Sequence, residues 1–339
     1  MSVDWKQRPE GGGRLAVWIM QAIARHGGRP LARLLLYPVS LYFLLRRGPE
    51  RRASKAFLSR ALGRPAGLLD TARHVRAFGA ATLDRLFLLE GREDRFRIEV
   101  EGLEALAEKV DEGRGVLLFG SHLGSFEVMR ALSRKRPGLK LRVVLDKAHS
   151  RAITQMLDAL APEIAAGVID ASQDGPALML QIQQAASEGA MVALLVDRTL
   201  PGQRALAVPF FGEPAPFPMA PWQMAAVLRL PVVLGFGLYL GGNRYRLVFE
   251  PCSDGIELAR GRRDAALATL IRGYAARLEH HARRAPYNWF NFYDFWHVDD
   301  QDPEPQTPAP GGERPTAPAG GVPVPAGERP LRVGAGRPR

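Results

Sequence analysis

The sequence is nearly without cysteine: Cys252 is the single one in 339 residues. One thiol excludes an internal disulfide, cysteine-based zinc sites and iron–sulfur clusters, and it fits a reducing, cytosolic setting. Lysine is scarce as well, since only six of the 46 basic residues are Lys and arginine carries the charge. No apolar run reaches the roughly 20 residues that a membrane-spanning helix needs. The chain has no G-x-G-x-x-G, no G-x4-G-K-S/T and no G-x-S-x-G. These absences argue against dinucleotide binding, a phosphate-binding P-loop and a hydrolase nucleophile elbow. His280 and His281 are neighbours, and adjacent side chains on a helix point apart, so no metal site is expected there. His149 and His297 read as surface residues.

The length suits one large domain or two modest ones, with ample chain to bury a core. The formal net charge is +11. Residues 1–100 hold 19 Lys and Arg against 9 Asp and Glu, whereas the other 239 residues hold 27 against 26. The surplus therefore belongs to the N-terminal third and points to an anionic partner. Long aliphatic runs interleave it and no recognised module accompanies it, so nucleic acid is not expected.

Residues 1–13 form a polar leader unlike a secretory signal. Two apolar stretches follow, Leu15–Ala24 and Leu31–Leu45, the second containing Arg33 and Pro38 and closed by Arg46-Arg47. The second stretch reads as an interfacial or re-entrant segment with Tyr37, Tyr42 and Phe43 at headgroup level; the alternative is a helical hairpin packed in a core. Residues 50–90 carry helical periodicity. From Gly115 onward short apolar strands alternate with helices: strands at Gly115–Gly120, Leu141–Leu145, Val168–Asp170 and Met191–Val196, then a strand pair at Pro231–Leu240 and Arg244–Glu250. A long helix spans Asp264–Arg284. This pattern predicts an α/β fold, a mixed and mostly parallel sheet covered by helices. Ten of residues 301–339 are Pro and seven are Gly, which reads as a disordered tail. Three regions result: a basic helical membrane-associating region over 1–100, an α/β domain over 101–300 and the tail over 301–339.

The segment GVLLFGSHLGSFEVMRAL, residues 115–132, carries the chemistry. A buried strand ends in a small-residue turn that bears His122, and a helix begins near Ser125, a plausible N-cap. Glu127 falls in the first helical turn, where the positive helix end favours a carboxylate. From the turn, the His122 ring can fold back onto Glu127, leaving its other nitrogen free as a base. Gly120 and Gly124 allow close approach of a backbone or a ligand.

The block H-L-G-S-F-E at 122–127, behind its GVLLF strand, resembles the H-x4-D/E motif of the lysophospholipid acyltransferase superfamily. Its Gly and aromatic resemble the lauroyl/myristoyl lipid A acyltransferase branch. Further blocks agree in order. Val196-Asp197-Arg198 is similar to that branch's V-D-Q block, and Val208-Pro209-Phe210-Phe211-Gly212-Glu213-Pro214-Ala215 to its V-x-F-F-G-x-P-A block. Pro218–Pro231 resembles the helix and strand that follow, and Asn288–Trp296 the aromatic segment near the C-terminus. The resemblance covers about residues 100–297.

It implies an enzyme that transfers a fatty acyl group from an acyl thioester, on acyl carrier protein or coenzyme A, to a lipid or glycolipid acceptor without a cofactor or metal. His122 would be the general base and Glu127 its orienting carboxylate. Arg198, where the branch usually has Gln, is a candidate oxyanion donor beside Asp197; a strand-end ion pair is the other reading. Lys147 is a candidate phosphate contact or a solvated loop lysine. Gly124, Ser125, Phe210, Phe211, Gly212 and Phe217 are candidates for the acyl or acceptor groove, with core packing as the alternative for the aromatics. The implied partners are membrane lipids and an acidic acyl carrier protein, at the cytoplasmic face of a bacterial inner membrane. A lysophospholipid or a pigment-type (aryl-polyene) lipid head group is an alternative acceptor, and an inactive lipid-binding scaffold is an alternative role for the fold.

Overall fold

The computed structural model describes residues 28–129, 139–148, 150–199, 202–257 and 261–296. The leader, the first apolar stretch Leu15–Ala24 and the tail over 301–339 lie outside these residues. The chain divides into units 1–298 and 299–339, and the description concerns the first.

Among the described residues three helices lead in: α1 (Gly28–Arg46), α2 (Gly48–Leu62) and α3 (Leu68–Leu89). The boundaries follow local chemistry. Proline opens α2, and Gly63, at φ 64°, closes it in the left-handed conformation. Asp70 accepts from the Gly67 N–H at 3.0 Å at the start of α3. The α/β part then runs β1 (Arg97–Glu101), α4 (Leu103–Asp111), β2 (Val116–Gly120), β3 (Leu141–Leu145), α5 (Arg151–Leu160), α6 (Pro162–Ala166), β4 (Val168–Asp170), α7 (Gly175–Ser187) and β5 (Met191–Leu195). After these come β6 (Ala205–Phe210), β7 (Glu213–Pro218), α8 (Ala220–Leu228), β8 (Val232–Tyr239), β9 (Arg244–Ser253) and α9 (Arg263–Arg284).

Seven strands form one sheet in the order β1-β9-β8-β2-β5-β3-β4. Every pairing is parallel except β8 with β9. The predicted mixed, mostly parallel sheet is thus present. Alternation along β2 explains why all five of its residues are apolar or Gly and buried. Leu117 and Phe119 join the apolar cluster that includes α2, α8 and α9, while Val116 and Leu118 join the one that includes α1 and α3.

β6 and β7 make a separate antiparallel hairpin. Its two-residue tip is Phe211-Gly212, both at positive φ (53° and 84°), the arrangement that suits tight hairpin turns. Glu279 of α9 holds the strained tip by accepting from the Phe211 N–H at 2.5 Å.

α1 is a continuous helix through Pro38. Ala32, Leu36 and Ser40 face the protein, whereas Leu31, Leu34, Tyr37, Leu41, Tyr42 and Leu45 are exposed along one stripe. Among the described residues no helix is long and apolar enough to cross a membrane. A buried polar knot anchors α1. Arg29 meets the buried Asp84 carboxylate of α3 in a two-pronged contact at 2.7 and 2.8 Å, and the Tyr245 hydroxyl of β9 donates to the same carboxylate at 2.9 Å.

Candidate active site

In a parallel sheet, loops that leave the carboxyl ends of neighbouring strands converge. β2 and β5 are neighbours, with Gly120 paired to Leu195. His122 and Asp197 each lie two residues beyond that pair, so the register sets them side by side although 75 residues separate them. The His122 Nδ1 lies 2.7 Å from Asp197 Oδ1, and the His122 backbone N–H donates to Asp197 Oδ2 at 2.9 Å. The indole N–H of Trp289 donates to Oδ2 at 2.9 Å. A carboxylate only accepts, so Nδ1 carries the proton and Nε2 keeps its lone pair. Nε2 has no protein partner among the described residues, and the His122 side chain is 30% exposed.

Glu127 does not hold the imidazole, contrary to the expectation from the motif. It forms an ion pair with Arg85 of α3 at 2.7 Å and accepts from the Ser125 hydroxyl at 3.3 Å. The physical reason is placement: α3 brings a guanidinium to the start of the helix at 126, and strand register delivers Asp197 to the ring.

The electrostatics agree with a neutral base. Burial pushes the His122 proton affinity down, and the charges of Arg198 and Arg85 push it further; Asp197 opposes them without prevailing. Burial alone would raise the Asp197 carboxyl, yet His122, Arg198 and the Trp289 N–H outweigh it and hold the group at about 2. Asp197 is therefore an anion at neutral pH.

The other expected residues divide. Arg198 joins the site: one guanidinium nitrogen donates to the Phe290 carbonyl at 2.7 Å, and its Nε is buried without a partner among the described residues. It stacks on Tyr293 at 5.6 Å, and no ion pair with Asp197 forms. Gly124 and Ser125 are present but serve the loop. Their N–H groups donate to the carbonyls of Asn288 at 2.8 Å and Gly237 at 2.7 Å. A Cβ on Gly124 would sit 1.8 Å from the Gly237 oxygen, so only glycine fits there. With the His122 N–H on Asp197 and the Leu123 N–H facing the Ser121 hydroxyl at 3.3 Å, the backbone donors of residues 122–125 are engaged.

The groove expectation is corrected for the aromatics. Phe210 and Phe217 are fully buried and Phe211 nearly so. Phe210 alone packs against Phe211, Phe217, Trp289, Phe295 and Trp296, which leaves no open face for a ligand. Gly212 serves the hairpin tip. Lys147 follows β3, two strands from β2, where its N–H donates to Asp170 at 3.2 Å; among the described residues no hydrogen bond or ion pair joins it to His122.

Trp289, whose indole N–H meets Asp197, is a site residue that no sequence motif singles out. Its signal was the polar-aromatic mixture of Asn288–Trp296, which is unlike a core strand.

A family model of bacterial lipid A biosynthesis acyltransferases matches residues 74–297, about two thirds of the chain. The chain belongs to that family. It is an acyltransferase, and the family's activity is acyl transfer to a lipid acceptor. No curated protein matches it. The acyltransferase match includes Arg85, His122, Glu127, Asp197, Arg198 and Trp289, so the residues of the site fall inside it.

Proposed function

We propose that this acyltransferase moves a fatty acyl group from a thioester, on acyl carrier protein or coenzyme A, to a hydroxyl or amine of a membrane lipid or glycolipid. The observation that carries this reading is the His122–Asp197 pair at the carboxyl end of the sheet, with Nε2 open. The Nε2 lone pair takes the acceptor's proton as its oxygen or nitrogen attacks the thioester carbonyl carbon. The tetrahedral intermediate collapses, the carbon–sulfur bond breaks, and the imidazolium returns the proton to the departing thiolate. Products are the acylated lipid and a free thiol, with no acyl-enzyme. A positioned base of this kind supplies ~10²–10⁴-fold. Arg198 faces the developing oxyanion, a role left to a side chain because the loop's N–H groups are engaged.

The membrane is the proposed workplace. The exposed stripe of α1, followed by Arg46 and Arg52, suits an interfacial helix on anionic lipid. The near-neutral catalytic part leaves the basic N-terminal third to attract acidic carriers and headgroups, at the cytoplasmic face of the inner membrane.

Purified protein incubated with acyl carrier thioester and bacterial lipid extract should yield a lipid heavier by one acyl group, read by mass spectrometry. A strain lacking the gene should lack the same species. No heavier species in vitro, with an unchanged lipid profile in the deletion strain, contradicts the proposed activity.

A further inference from the structure

Asp197 is held by more than its histidine. The Trp289 indole N–H takes Oδ2 at 2.9 Å, which leaves Oδ1 for His122 Nδ1. Trp289 is itself fixed at both ends. Its ring is buried against Phe57 and Phe295, with centroids 4.9 Å away in each case. Its carbonyl lies 2.8 Å from His74 Nε2. A carbonyl only accepts, so Nε2 donates, and His74 Nδ1 must then accept from the Ser54 hydroxyl at 2.8 Å. The His74 ring stacks on Phe292 at 4.6 Å, and burial pushes its pKa to about 4, so it stays neutral in this role. The neighbouring residues lace the same segment to the catalytic loop. Asn288 accepts from Gly124, and the Phe290 N–H donates to the His122 carbonyl at 2.9 Å. Two sets of hydrogen bonds, Ser54–His74 to the Trp289 carbonyl and the Trp289 indole through Asp197 to His122, thus meet at Trp289 and link α2 and α3 to the catalytic imidazole.

We propose that Trp289, locked in place by His74, is a positioning residue that orients the Asp197 carboxylate and through it the Nδ1–H tautomer of His122. The inference rests on the acyl-transfer reading for its kinetic consequence, but its spectroscopic consequence stands without it. Packing alone would be indifferent to the indole nitrogen, whereas positioning depends on it.

The test is Trp289→Phe, which keeps an aromatic ring and removes the N–H. In proton NMR of the free protein, His122 Nδ1–H should give a downfield signal slow to exchange with water. In the variant that signal should broaden or exchange at least tenfold faster. With acyl thioester donor and lipid, kcat should fall roughly 10- to 100-fold, the effect of losing a hydrogen bond to a charged group, while KM for the donor stays within about twofold. Benzothienylalanine at position 289 replaces N–H by sulfur within nearly the same ring outline; it gives the same readings should Trp289→Phe not fold. A folded variant with an unaltered Nδ1–H signal and kcat within about threefold of the parent overturns the proposal. Absence of any acyl transfer by the parent would instead overturn the proposed function, and the NMR comparison would still decide the positioning role.

Discussion

At the residue scale, the site turns on which carboxylate holds His122. Asp197 accepts from the ring and from the backbone of the same histidine, while Glu127 is occupied by Arg85. Asp197→Asn keeps the shape but lets an amide face Nδ1 and favour the wrong tautomer. Its kcat should fall about 10²–10⁴-fold, in line with the loss of a positioned base, and Glu127→Gln should lose less. A smaller loss in Asp197→Asn than in Glu127→Gln, measured in the same transfer assay, would reverse the assignment. The pH dependence has a definite sign. The base works only unprotonated, and burial with Arg198 and Arg85 lowers its pKa from 6.5. The acidic limb of the kcat/KM profile should therefore have its midpoint below 6.5; a midpoint above that value would count against His122 as the base.

At the element scale, the sequence was most legible where periodicity was strong. The apolar runs at Leu141–Leu145, Val168–Asp170 and Met191–Val196 are strands within a residue, and the long helix Asp264–Arg284 is α9. The β6–β7 hairpin was not legible as strands, because prolines at 209, 214, 216 and 218 argue against a ladder; it survives as a separate two-stranded unit. The Glu127 expectation failed for a different reason. Five residues of spacing is a local signal, whereas Asp197 reaches His122 through the β2–β5 register, which a single sequence does not display.

The anchoring of α1 was equally hidden, since Arg29, Asp84 and Tyr245 come from three elements. Asp84 is fully buried, so Asp84→Ala would leave Arg29 with the Gly242 carbonyl but without its counter-charge, and the Tyr245 hydroxyl without its acceptor. We expect a loss of about 3 kcal/mol, the lower end for breaking a buried pair because Arg29 keeps some solvent. Urea unfolding measures it, and a loss under about 1 kcal/mol would show that the knot is not what holds α1.

At the scale of the whole molecule, charge and apolar surface share one end of the sequence. The helix that looked too short and too interrupted to span a bilayer is instead half anchored and half exposed. Its inner residues belong to the apolar core, so deleting residues 1–47 would uncover Ala80 and Phe87, which pack in the same cluster as Ala32 and Leu36. Charging the outer stripe is the cleaner probe. Leu34→Glu, Leu41→Glu and Leu45→Glu together should leave the fold intact and move the protein from the membrane pellet to the supernatant. Unchanged sedimentation with membranes would remove α1 as the contact.

The account stands or falls on His122 as the base of acyl transfer. The decisive measurement is the rate at which folded His122→Ala moves a radiolabelled acyl group from its carrier thioester to lipid. The expected rate is at least about 10²-fold below that of the parent. A His122→Ala variant that retains more than about a tenth of the parent's rate would contradict the account.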